Sequence, residues 1–250
     1  MPVTVSDISL PDVEGGSAGL TGVLAIPEGT GPWPGVVLVH EAYGVNEVMR
    51  RQVVRMAEGG YLALMPDLFS QGGARRCLGA TFRALRSGEG RAFVDIESAR
   101  AYLAGRSDST GVTGVLGFCM GGGFALAAAS DRGFDAASAN YGMLPRDLDT
   151  LEHACPIVGS YGARDHSLTG VADKLSATLT RYGVPHDVKE YPDAGHSFLN
   201  DAESGPVAVR LLTKRILGAG PNPEAAADAW RRIEAFFGEH LSRPGGPVGR

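Results

Sequence analysis

Between Val112 and Ser130 the chain passes from an apolar run, through Gly117-Phe118-Cys119-Met120-Gly121-Gly122-Gly123, into an alanine-rich run. This order predicts a buried strand (Val112 to Phe118), a tight turn, and a helix (Phe124 to Ser130). A residue at such a junction sits on a strained turn and points out of the sheet. Gly117 and Gly121 flank Cys119, where side chains would collide with neighbouring backbone. The N-terminus of the following helix offers free N–H groups and a positive dipole, which favour a thiolate and a developing oxyanion. A turn with a buried, inert cysteine would leave the same local pattern, so the rest of the chain decides.

That remainder alternates strands with helices. Val3 to Leu10 and Leu20 to Ile26 read as an antiparallel entry hairpin. Gly35 to His40 is continuously apolar up to its histidine, as in a strand buried on both faces. Asn46 is placed to cap a helix running to about Glu58, and Tyr61 to Pro66 reads as a short strand. Residues 68–88, rich in Gly and Arg, read as a loop with one short helix. Arg91 to Ala104 has helical periodicity. Three further strands are predicted at Phe134 to Tyr141, Pro156 to Tyr161 and His186 to Tyr191, with a helix from Gly170 to Tyr182 before the last. Val207 to Leu217 and Pro223 to Leu241 close the chain as helices, the latter with Trp230, Ile233, Phe236 and Phe237 on one face. The expectation is an α/β fold: a mostly parallel central sheet with helices on both faces, without a large lid domain. No linker divides it, so residues 1–241 read as one domain and 242–250 as a flexible Pro/Gly-rich tail.

A cysteine nucleophile needs a base, and the base needs an orienting group. Asp165 follows the strand that ends in Tyr161-Gly162, and His196 lies in the loop after Tyr191. Both therefore fall at the C-terminal edge of a parallel sheet, where catalytic groups gather. The chain order Cys119, Asp165, His196 is nucleophile, acid, histidine. Asp165 read alone is a helix cap, and Asp193 reads as a turn former. His40, His153, His166, His186 and His240 read as surface or packing residues.

The motifs His40-Glu41-Ala42-Tyr43-Gly44-Val45-Asn46, Pro66-Asp67-Leu68, Gly117-Phe118-Cys119-Met120-Gly121-Gly122, Asn140-Tyr141-Gly142 and Gly195-His196-Ser197-Phe198 resemble those of the dienelactone hydrolase family. The resemblance runs from about Val5 to Leu241. It implies an α/β-hydrolase fold and hydrolysis of a lactone or ester by Cys119, Asp165 and His196, without metal or organic cofactor. It further implies that Glu41 helps to generate the thiolate. The oxyanion hole is expected from the backbone N–H groups of Met120 and Ala42. Substrate contacts are expected at Tyr43, Arg83, Arg86, Phe198 and Asn200. Family members that act on dienelactone carry an arginine four residues after the histidine; here that position is Asn200, which puts dienelactone itself in question.

The net charge of −5 is spread without blocks of one sign, which argues against nucleic acid or an anionic membrane as partner. The expected partner is a small-molecule lactone or ester, with the protein a monomer or small homo-oligomer. Three cysteines, Cys77, Cys119 and Cys155, give neither a disulfide framework nor a metal cluster. With no basic–apolar leader at the N-terminus, the expected compartment is the cytoplasm, which would keep a thiol reduced. The alternative is a non-catalytic hydrolase fold kept for binding or thiol redox sensing. Glutamine amidotransferases, which place a glutamate two residues after the histidine, are disfavoured by Phe198.

Overall fold

The computed structural model describes residues 1–242, so the segment 243–250 of the expected tail lies outside the described residues. Eight strands form one sheet in the order β1-β2-β4-β3-β5-β6-β7-β8. The strands are β1 (Val3–Ser9), β2 (Thr21–Pro27), β3 (Trp33–Val39), β4 (Leu62–Pro66), β5 (Ser109–Phe118), β6 (Ala136–Asn140), β7 (Ile157–Gly162) and β8 (His186–Tyr191). The entry hairpin β1–β2 is antiparallel, β2 joins β4 antiparallel, and every pairing from β4 to β8 is parallel. β3, β4 and β6 are buried along most or all of their lengths, as the apolar runs of β3 and β4 require when both faces are covered; β6 buries Ser138 and Asn140 among its alanines.

The cover comes from α1 (Glu47–Glu58), α2 (Ala74–Ser87), α3 (Arg91–Ala104), α4 (Met120–Ala128), α5 (Val171–Tyr182), α6 (Val207–Leu217) and α7 (Pro223–His240). α1 and α7 share one face, where the Arg55 guanidinium lies 4.6 Å over the Trp230 ring. On the other face α3 and α4 meet through Phe93 and Phe124, with ring centroids 4.9 Å apart. Asn46 caps α1, its side chain accepting from the Met49 N–H at 3.0 Å.

Two local expectations are corrected. Residues 74–87 are not mainly loop: α2 is a full helix, because Cys77, Thr81, Ala84 and Leu85 recur at helical spacing and are all buried. α4 begins at Met120, ahead of the expected Phe124. Its early glycines are retained by close packing: a Cβ on Gly122 would stand 2.6 Å from the Asn140 carbonyl oxygen. Among the described residues no helix is long and apolar enough to cross a membrane.

Candidate active site

The ends of β3, β5 and β7 and the loop after β8 converge at the C-terminal edge of the sheet. Cys119 stands between β5 and α4 with φ of 55°, a left-handed conformation that costs a non-glycine residue energy and is held by its surroundings. The hold is visible on both sides. A Cβ on Gly117 would fall 1.9 Å from the Gly121 carbonyl oxygen, and one on Gly121 would fall 2.0 Å from that of Val39. Asn140, at the end of β6, clamps the turn twice: its carbonyl accepts from the Cys119 N–H at 3.0 Å, and its amide donates to the Gly117 carbonyl at 3.1 Å.

Asp165 ends the β7 turn and is 1% exposed. Its Oδ1 accepts from the Ser167 N–H at 3.1 Å and from the Ser167 hydroxyl at 2.6 Å, capping the short 3-10 turn His166–Leu168. Its Oδ2 lies 2.5 Å from His196 Nδ1. The capping and orienting readings of Asp165 therefore both hold, one per oxygen. Burial disfavours the charge of Asp165, but the bonds from His196 and Ser167 prevail and hold its carboxyl below the usual carboxylate range. Burial would lower the His196 pKa; the facing Cys119 sulfur and Asp165 outweigh it and raise the imidazole to about 10, with the Cys119 side chain in hydrogen-bonding reach. Asp193 is turned away, its carboxylate 2.6 Å from Arg164.

The loop that carries His196 is fixed to the end of α6. The His196 N–H donates to the Leu217 carbonyl at 3.0 Å, and the Gly220 N–H donates to the His196 carbonyl at 2.9 Å. Gly195 and Gly218 touch so closely that a Cβ on Gly195 would stand 2.2 Å from the Gly218 carbonyl oxygen.

Glu41 follows β3 and is 1% exposed. Its Oε2 accepts from the Asn200 amide at 3.2 Å, and its Oε1 from the Asn46 amide at 3.4 Å and from the Ser204 hydroxyl. These donors are all neutral. Asn200 also accepts from the Tyr141 hydroxyl at 3.5 Å, and the Tyr141 ring sits 5.1 Å from that of His196. Burial first, then the negative charges of Glu41 and Cys119, raise the phenols of Tyr43 and Tyr141, the latter far above its ordinary range. Both phenols therefore stay protonated donors. Beneath Glu41, His40 is fully buried. Its Nε2 accepts from the Leu68 N–H at 3.1 Å, which makes Nδ1 the donor to the Glu41 carbonyl at 2.7 Å. Burial lowers its pKa and keeps it neutral, so it pins the Glu41 loop to the turn after β4, a packing role as expected.

Cys119, His196, Glu41, Ala42, Tyr43 and Asn200 line one cavity of about 140 Å³. Met120 opens α4, so its N–H has no carbonyl one helical turn behind it. Three of the expected substrate contacts are not brought there. Arg83 and Arg86 are exposed on the side of α2 away from its buried stripe and line other clefts. Phe198 is fully buried against Tyr141 and Tyr191, with centroids 5.7 and 5.0 Å away, and supports the histidine loop from below. Asn200 reaches the cavity, but its amide is engaged with Glu41 and Tyr141. The far wall comes from residues the sequence did not single out: Ser204 before α6, and Arg210, Thr213 and Leu217 on it. The last three recur at helical spacing, a signal that marks a face without saying what it covers. Among the described residues no group of His, Cys, Asp and Glu side chains suited to a metal ion was found.

A family model described as the dienelactone hydrolase family matches residues 20–241. The chain is 29% identical over 228 residues to a carboxymethylenebutenolidase of Rhodococcus opacus, covering 85% of this chain and 84% of that protein. It is likewise 29% identical over 188 residues to a carboxymethylenebutenolidase of Pseudomonas putida, covering 71% of this chain and 80% of that one. In structure it is similar to a dienelactone hydrolase-like promiscuous phosphotriesterase from metagenomic libraries, with a TM-score of 0.75 and 21% identity, over 96% of this chain and 99% of the other. At that identity the last likeness concerns the fold.

Proposed function

The chain belongs to the dienelactone hydrolase family, and from that premise we propose that it hydrolyses a lactone or ester through a Cys119 thioester, without a cofactor. The observation that carries this reading is a buried Asp165 bonded to His196 at 2.5 Å, with His196 facing Cys119 on the strained turn at the floor of a cavity.

The chemistry follows from that arrangement. His196, protonated through neutral pH by virtue of its raised pKa, pairs with a Cys119 thiolate. The thiolate attacks the substrate carbonyl carbon, and the carbonyl oxygen becomes an oxyanion facing the N–H groups of Met120 and Ala42. Collapse breaks the C–O bond to the leaving alkoxide, which takes the His196 proton; in a lactone the alcohol stays on the acyl chain. Neutral His196 then removes a proton from water, which attacks the thioester carbonyl. Release of the acid restores the thiolate and imidazolium. Asp165 holds Nδ1–H toward itself, so that Nε2 faces the sulfur. Glu41, a carboxylate set beside the nucleophile, assists thiolate formation; the polar bonds of Asn46, Asn200 and Ser204 keep it in place.

The test is hydrolysis of dienelactone and of a neutral aryl ester by wild type, Cys119→Ala and His196→Gln, with intact mass measured during turnover. Turnover is expected in wild type and lost in Cys119→Ala, and an acyl adduct is expected on Cys119 whenever deacylation is slow. Turnover that persists in Cys119→Ala would remove the sulfur from the mechanism. Absence of both turnover and adduct would favour the thiol-sensing alternative.

A further inference from the structure

The charges lining the cavity are unevenly balanced. Apart from the Cys119–His196 pair, they are Glu41, Glu203 and Arg210. Among the described residues Glu41 meets neutral donors alone, so its negative charge, in the wall of the cavity that Cys119 also lines, has no cation paired with it. Arg210, on the cavity face of α6, is the cation placed to attract an anionic substrate. Its charge is countered by Glu203, which also lines the cavity and lies 3.7 Å from the guanidinium. Glu203 is shared with Lys214 at 3.3 Å, but Lys214 is 65% exposed at the side of the helix and does not line the cavity. The 3.7 Å separation is longer than a hydrogen bond, and Arg210 Nε is shielded from solvent without a hydrogen-bond partner among the described residues. The guanidinium therefore keeps unused donors while its charge is masked.

We propose that the Glu203–Arg210 pair makes this cavity selective for uncharged substrates, and that Glu203 is the residue that enforces the selection. The proposal deepens the hydrolase reading and rests on it for the substrate class, a neutral ester or lactone. An incoming carboxylate meets Glu41 and Glu203 and finds Arg210 already neutralised. With the Glu203 charge removed, Arg210 becomes free to pair with that carboxylate.

The test uses two alkylating agents of nearly equal size, neutral iodoacetamide and anionic iodoacetate. In each, the Cys119 thiolate forms the S–C bond, the C–I bond breaks and iodide leaves. Rates are read on the Cys119 peptide by mass spectrometry, which separates it from Cys77 and Cys155, and the amide-to-acid ratio is divided by that of glutathione. A single unscreened charge at this range in partly solvated protein corresponds to a factor of about three to ten. Wild type is expected to disfavour iodoacetate by about tenfold relative to glutathione. Glu203→Gln is expected to shrink that preference at least threefold, and Arg210→Gln to enlarge it. A wild-type ratio equal to that of glutathione, or one unmoved by Glu203→Gln, overturns the proposal. A parallel comparison of a neutral aryl ester with its succinyl counterpart tests the hydrolase reading separately. If neither ester turns over while the alkylation ratios behave as stated, the hydrolase reading falls and the charge selection stands.

Discussion

Asp165 spends one carboxylate oxygen on Ser167 and the other on His196, so its two functions are separable by substitution. Asp165→Asn keeps the cap but offers an amide where an acceptor is needed. Activity at neutral pH is expected to fall on the order of 10³- to 10⁴-fold, because the imidazole takes the wrong tautomer. Its effect on stability has a defined pH sign. A carboxyl held below its unfolded value stabilises the fold above that value, 3.8, and ceases to do so as pH falls through the folded one. The difference in unfolding free energy between wild type and Asp165→Asn is therefore expected to be constant between about pH 4 and 6.5 and to shrink below about pH 4; above pH 6.5 it shrinks as well, because Asp165 helps to raise His196 and that contribution is lost as pH rises through about 10. A difference that grows in acid would contradict the assigned direction. At this scale the sequence was most legible. Cys119, Asp165 and His196 each follow a strand, and the ends of those strands were readable in the sequence to within one residue. Tyr141 and Asn140 were visible only as parts of a motif, because what they do depends on partners brought from β5 and from the histidine loop.

The turn between β5 and α4 is wedged between the β3 and β6 carbonyls, and this leaves no space for a methyl group at Gly121. Gly121→Ala would place a carbon 2.0 Å from the Val39 carbonyl oxygen, so backbone must move. The expected cost is at least about 3 kcal/mol, in the range of severe core substitutions, read as a fall in the urea midpoint. A milder change is Ser204→Ala, which removes one donor from the buried Glu41 carboxylate. Bonds to charged groups contribute about 1.5–3 kcal/mol, and the loss is expected to appear as reduced stability together with slower alkylation of Cys119, whereas a purely structural contact would change only the former. Elements with clean periodicity were legible: α3 and β8 fall where their spacing puts them. α2 was not, since its four arginines and the glycines Gly72, Gly73, Gly79 and Gly88 in and around it read as loop until the buried stripe Cys77, Thr81, Ala84 and Leu85 is recognised.

Across the whole molecule, the groups assigned to catalysis hang from four strand ends spread over β3, β5, β7 and β8, so the site exists only while the sheet is intact. The two tryptophans report on different elements, Trp33 starting β3 and Trp230 on the buried face of α7. Residues 1–241 behaving as one unit would make urea unfolding followed by fluorescence coincide with the gain of ordinary, solution-like thiol reactivity at Cys119. Separate midpoints would divide the chain into independently melting parts. What the sequence could not convey at this scale was the cavity wall. α6 could be placed along the chain, but which edge it would cover is a long-range packing outcome. The answer lies in the two hydrogen bonds that tie Leu217 and Gly220 to the His196 backbone, and in the contact of Gly195 with Gly218. Because of that seam, residues 195–220 form a single exchangeable cassette. Anyone grafting a different wall onto this scaffold, or trading specificities with a relative, has to move the base and the wall together; cutting the chain between them would deliver a new pocket with its histidine out of register.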